Sequence, residues 1–145
     1  MAESGRLGDR SRLIIFCISQ FIQKFVIEPV QELKKTISEI GFRLDYYTDA
    51  YPSTPDLNDE NQRKEVLDIF NGLRESSCRL YSDARAILCY DLFEAMRWIP
   101  TRSELEKAKS NLMYVSNTKF MTDRHERWER RQQINEVKNL LHLDK

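Results

Sequence analysis

VQELKKTISEIGFRLDYYTDAY, residues 30–51, decides the fold. Val30, Leu33, Ile37, Ile40, Leu44 and Tyr47 recur at spacings of three and four, which places them on one face of a helix. Strand alternation is missing here, and nowhere else along the chain is it strong enough to predict a strand. Gly41 interrupts the stripe at a cost in helix propensity and marks a place where another helix can approach closely. The segment ends in YPSTPDLND, residues 51–59, where two prolines and the turn-forming Ser, Thr, Asp and Asn predict a loop.

Beyond that loop the same period continues. A helix is predicted from about Asn58 to Arg79, with Leu67, Phe70, Leu73 and Ser77 inward, Val66 and Ile69 beside them, and a weak point at NGLRESS. A further helix is expected in SDARAILCYDLFEAMRWIP. Ser82 caps it, Ala84, Leu88, Leu92 and Met96 line its inner face, and Ile99-Pro100 ends it. TRSELEKA offers two overlapping capping boxes, Thr101 with Glu104 and Ser103 with Glu106. Leu105, Ala108, Leu112 and Val115 follow as that helix's stripe, with Asn117 as a left-handed cap. A last helix, about Asp123 to Leu141, carries Trp128, Ile134, Val137 and Leu141 inward. The predicted architecture is all-α. A kinked N-terminal helical arm (1–51) and a loop (52–57) precede a helical bundle of about four helices (58–145).

Composition bounds the function. The chain has 145 residues, enough for one domain with its own core. It carries 23 basic and 23 acidic side chains, a balance that disfavours a general nucleic-acid binder, because phosphate neutralisation needs a positive excess or a segregated patch. Cys17, Cys78 and Cys89 form no CxxC, and the expectation is three reduced, buried thiols in a cytoplasmic setting.

Toward the N-terminus, residues 1–9 read as a frayed end, with Ser11 or Asp9 capping the helix that follows. The arm then opens with SRLIIFCISQFIQKFVIEPV, residues 11–30. At about 100° per residue, Ser19, Gln20, Gln23, Lys24 and Glu28 form a half-turn polar arc. Ile14, Ile15, Ile18, Phe21, Ile22 and Phe25 lie on or near the opposite side. Only Leu13–Ile18 is apolar all round. A lysine at the bilayer centre costs about 2.5–3.5 kcal/mol against about 0.3–0.6 returned per Leu or Ile, so a solitary span is marginal. Lys24 can snorkel and pair with Glu28. Three forms fit the pattern: a helix lying in a membrane interface, a span whose polar arc faces a partner helix, and a helix packed on protein. No small-residue cleavage site follows, so a signal peptide is not expected. Pro29 should kink or interrupt the helix.

FVIEPVQELKKTISEIGFRLDYYTDAY and IPTRSELEKAKSNLMYVSN resemble blocks of a family of small, uncharacterised, mostly bacterial proteins. In that family a hydrophobic segment precedes a proline, a helix with paired aromatics and a helical body. The resemblance implies a membrane anchor at the N-terminus and carries no activity. This sequence differs by the polar arc of its hydrophobic segment.

Other constellations are weaker. HERWE, inside DRHERWERR (123–131), falls short of a zinc-binding HExxH because Glu129 replaces the second histidine, and His142 is remote. Arg124, Arg127, Arg130 and Arg131 around Trp128 suit nucleic acid. Yet Asp123–Arg127 and Glu126–Arg130 are i,i+4 pairs, so a solvated, salt-bridged face explains the same residues. Asp45 and Asp49 lie one turn apart among Tyr46, Tyr47 and Tyr51 without a histidine to complete an acid–base or metal site. Asp91, in an apolar run, calls for a buried arginine partner. No phosphate-binding glycine loop and no nucleophile–base pair is present.

The expectation is a non-enzymatic interaction protein with no catalytic residue, metal, cofactor or small-molecule substrate. It docks through the apolar N-terminal helix to a membrane, to itself or to another protein. It is expected in the cytoplasm, and the membrane form is attached to the inner membrane through residues 11–30. The competing reading is a nucleic-acid-binding or metal-dependent enzyme using Arg124, Arg127, Trp128 and Arg131.

Overall fold

The stripe Val30, Leu33, Ile37, Ile40, Leu44, Tyr47 is buried along its whole length, and the molecule is assembled around it. The structure, a computed structural model, describes residues 4–51, 55–56, 58–118 and 124–143, with side chains from residue 10 onward except that of Arg124. It is all-α, without a strand among the described residues. Helix α1 (Ser4–Ile22) passes through a π-helical turn, Gln23–Ile27, into α2 (Glu28–Ala50). Then come α3 (Glu60–Ala86), the short α4 (Tyr90–Ala95), α5 (Arg102–Asn117) and α6 (Arg124–Leu140).

Helices α2, α3, α5 and α6 form an antiparallel four-helix bundle, and polar contacts fix its register. Thr36 Oγ1 donates to Asp83 at 2.6 Å and Arg79 pairs with Glu39 at 3.3 Å, setting α3 against α2. Ser77 Oγ lies 3.4 Å from Met113 Sδ, setting α5 against α3. The Tyr114 hydroxyl donates to Glu129 at 3.1 Å, and His142 lies 3.7 Å from Glu104, setting α6 against α5. The ring closes where Lys138 meets Asp45 and where Leu143 packs over Gly41, so the close approach at Gly41 is by the turn that ends α6. Leu33, Ile40, Leu44, Phe70, Leu73, Leu80, Leu112 and Val137 make the dry centre, each removing apolar surface worth about 1.5–3 kcal/mol from water.

This arrangement redraws the expected division. Residues 30–47, placed with the arm, are a wall of the bundle; only the helix before Val30 stands apart. Pro29 does not end the helix. It sits at the first positions of α2, directly after the π-helical turn, so its missing N–H falls where the ladder has already changed register. Of the predicted loop 52–57, residues 52–54 and 57 lie outside the described residues.

The middle of the chain differs more. Helix α3 is capped by Asp59, whose side chain accepts from Asn61 N, and it runs through NGLRESS and Ser82 to Ala86. The break comes at Ile87–Cys89, with Cys89 left-handed at φ 58°. Leu88, Leu92 and Met96 consequently face solvent instead of the core, and Asp91 is almost fully exposed with only a loose 3.8 Å pairing to Arg102. On α6, Trp128 is 57% exposed and Arg130 is buried in its place. The Asn117 cap is not formed, since the helix ends through Thr118 at φ −92°. The three cysteines are unpaired, but all are exposed instead of buried. The Thr101–Glu104 capping box forms as predicted, with both reciprocal hydrogen bonds present.

Candidate functional site

Every described side chain of α1 from Arg10 to Ile22 is exposed. These include Leu13, Ile14, Ile15, Phe16, Ile18, Phe21 and Ile22; Phe25 and Ile27 continue the series through the π-helical turn. Ile15 alone shows 66% of its surface. The predicted apolar face (Ile14, Ile15, Ile18, Phe21, Ile22, Phe25) is therefore assembled on one rod and left uncovered. Phe21 and Phe25 reinforce it by a tilted ring contact one turn apart, centroids 4.7 Å. The polar arc stands on the same rod: Gln20, Gln23, Lys24 and Glu28 are all exposed. Ser19 contributes least to it, because its hydroxyl donates back to Phe16 O at 2.8 Å and is satisfied inside the helix.

The helix running unbroken over Arg10–Ala50 is, by length and composition, long and apolar enough to cross a membrane, and its most apolar stretch is only 6% buried. Eight or more large apolar side chains on one uncovered helix exceed what scattered surface hydrophobics explain. Between Arg12 and Lys24 lie eleven uncharged residues, ~16 Å of helix; extending the run to Ile27, its last exposed large apolar residue, gives ~22 Å, most of the ~30 Å hydrocarbon thickness of a bilayer, at the cost of accommodating Lys24.

The competing surfaces are less coherent. On α6, Trp128 is exposed and stacks on His125 with centroids 6.4 Å apart, and Arg131 is exposed nearby. Arg127 is half-buried and Arg130 turns into the core, while the side chain of Arg124, and Asp123 altogether, lie outside the described residues. The predicted arginine cluster is thus split between inside and outside. His125 meets Glu129 at 3.3 Å as an i,i+4 pair, and no group of three or more metal-ligating side chains gathers among the described residues.

The tyrosine-rich end of α2 serves the fold. Tyr47 packs edge-on against Phe70 at 5.0 Å, and the Tyr46 and Tyr51 hydroxyls both donate to Glu65. Those two hydrogen bonds hold the Glu65 carboxyl below its ordinary 4.5. Its carboxylate in turn raises Tyr46, while Tyr51 is pushed up to about 12, first by burial and then by Glu65. A shallow groove between α2 and α3 opens beside this clamp, lined by Phe42, Arg43, Tyr46, Lys64, Glu65 and Asp68, with charges of both signs.

One surface escaped the sequence reading. Leu88, Leu92, Met96 and Trp98 are exposed together on the connector between α3 and α5. The four-residue spacing of Ala84, Leu88, Leu92 and Met96 predicts an inner face, yet only Ala84 is buried, and Trp98 carries no spacing signal.

No protein-family model, curated protein or solved structure matches this chain.

Proposed function

We propose that the protein is a membrane-anchored, non-enzymatic interaction module: α1 enters the bilayer and holds the four-helix body at its surface. The observation that supports this reading is the continuous, uncovered apolar rod Leu13–Ile27, joined without a break to a bundle that needs none of it for its core. In water such a rod costs the exposure of every large side chain it carries; in lipid those same side chains are the favourable term. Backbone polarity is no obstacle, since the helical ladder satisfies itself within the segment. Lys24 sits toward the bundle end, where its stem can lie along the helix and its ammonium can reach the headgroups.

A second form of the same reading is favoured by the polar arc. Gln20 and Gln23 on one side of the rod suit hydrogen bonding to another helix inside the membrane, so two copies can pair through that side while the apolar face meets lipid.

Flotation of the full chain with phosphatidylcholine–phosphatidylglycerol vesicles, followed by an alkaline carbonate wash, tests the anchor. The chain is expected to float and to survive the wash. Ile15→Glu with Ile18→Glu should reduce flotation about tenfold or more with no change in thermal unfolding, because neither side chain touches the bundle. A full chain that is monomeric without detergent and leaves vesicles untouched overturns the proposal.

A further inference from the structure

The connector between α3 and α5 is built to show apolar side chains outward. Ile87, Tyr90 and Ile99 are buried beneath it, and the Tyr90 hydroxyl donates to Pro100 O at 2.6 Å, fastening the connector's two ends to each other. Arg102 lies over the Tyr90 ring at 4.7 Å, and its backbone N–H donates to Glu94 at 3.3 Å. On this held framework Leu92 and Met96 lie one turn apart at the exposed side of α4, Leu88 precedes the left-handed Cys89, and Trp98 follows the end of α4; all four are exposed, Leu92 at 58% and Trp98 at 56%. Two non-glycine residues, Cys89 and Arg97, are left-handed at φ 58° and 56°, each at a cost of about 1–2 kcal/mol. Arg97 closes α4 in the manner in which His142 closes α6, with Trp98 N donating back to Phe93 O at 3.0 Å, whereas Cys89 stands at the start of α4, where no helix ends on it, in a segment that turns four large apolar groups toward water.

The position of the patch identifies what covers it. Thr36–Asp83 and Glu39–Arg79 align α2 and α3 in opposite directions, so the end of α3 lies level with the first turns of α2. The connector therefore caps the end of the bundle from which α1 leaves. Because α1 continues α2 as one helix, whatever α1 enters faces that end. If Leu13–Ile27 is the inserted length, its bundle-side end and the connector stand together at the headgroup level. Exposed Arg85, Arg97 and Arg102 border the patch and outnumber the one exposed carboxylate among them, Asp91, so the border suits anionic headgroups, and a tryptophan belongs at that depth.

We infer that Leu88, Leu92, Met96 and Trp98 form a second lipid-contacting surface, docking the connector on the bilayer leaflet through which α1 enters. The inference rests on the membrane reading of α1, and its test separates the two. The chain has two tryptophans, Trp98 on the connector and Trp128 on α6, both exposed and neither part of the core. In the full chain, Trp128→Phe leaves Trp98 as the only reporter, and Trp98→Phe leaves Trp128. With phosphatidylcholine–phosphatidylglycerol vesicles, Trp98 emission should move to shorter wavelength and be quenched by brominated lipid, while Trp128 stays as in buffer. Leu92→Asp with Met96→Asp should weaken vesicle partitioning about tenfold without altering unfolding. Flotation of the full chain with an unresponsive Trp98 overturns the connector surface and leaves the α1 anchor standing. Failure of the full chain to float overturns both. A Trp98 shift that grows with protein concentration in the absence of vesicles assigns the patch to a second copy, and also overturns the lipid surface.

Discussion

Arg130 on α6 donates through Nη1 to the hydroxyl of Tyr47 on α2 at 2.8 Å, joining residues 83 positions apart inside the bundle. Its other terminal nitrogen donates to the carbonyl of Thr118, at the end of α5, and its guanidinium lies 5.9 Å from the centroid of Phe70. One buried side chain thus ties together all four helices of the body. Arg130→Ala should lower the stability of the bundle by about 2–3 kcal/mol, because a buried hydroxyl and a buried carbonyl lose a charged donor. Tyr47→Phe should cost about 1.5 kcal/mol, less than the loss of Arg130 itself, because it takes one acceptor from a buried charged group and leaves the Thr118 contact in place. Urea unfolding of both variants measures the difference, and equal effects would contradict the shared role.

Gly72 carries the opposite expectation. The nearest atoms that a Cβ there would meet are those of the Arg43 guanidinium, the far end of a flexible, half-buried side chain in the α2–α3 groove. Gly72→Ala should therefore stabilise α3 by about 0.5–1 kcal/mol, the helix-propensity difference, as Arg43 swings aside. Thermal unfolding checks the sign; destabilisation would mean that Arg43 is held in place.

The Glu65 clamp gives a pH dependence. Glu65 is held below its ordinary 4.5, so its contribution to stability is complete above that value and is lost as pH falls through the folded value. Tyr51 is raised to about 12, so its contribution is complete below the ordinary 10 and is lost as pH rises through about 12. Glu65→Gln should flatten the acid limb below pH 4.5 and return Tyr46 ionisation toward 10. Tyr51 should stay higher, because burial is its larger cause. Tyrosinate absorbance against pH, together with urea unfolding across the acid range, reads both limbs.

Thr101→Ala should cost about 1 kcal/mol by opening the capping box at the start of α5. Ser103→Ala should be nearly neutral, since the overlapping box that the sequence also offered is not the one that forms. The same unfolding measurement compares them.

These residues show where local pattern was sufficient. The stripe of α2 and the Thr101–Glu104 box depend on neighbours three and four positions away, and both are readable in one segment. Leu88, Leu92 and Met96 have the same period, but a period gathers residues on one face only where the helix continues, and the break at Ile87–Cys89, with no glycine to announce it, separates Leu88 from the other two and leaves all three exposed. Trp128 and Arg130 changed places for a related reason. Hydrophobicity favours the tryptophan inside, whereas Arg130 is held there by Tyr47 and Thr118, partners that only the tertiary fold supplies. The exposure of α1 was equally beyond the sequence, because an apolar helix reads alike whether its cover is protein or lipid.

The account turns on where α1 resides, and the native cysteines report it. Cys17 lies within the apolar rod, one turn from Leu13, and Cys78 on the bundle surface, both exposed in the protein alone. Alkylation of the full chain by a membrane-impermeant maleimide, resolved by mass spectrometry with and without saturating vesicles, compares the two directly. The account predicts that vesicles shield Cys17 while Cys78 continues to react. Equal reaction of Cys17 and Cys78 in the presence of vesicles would contradict it.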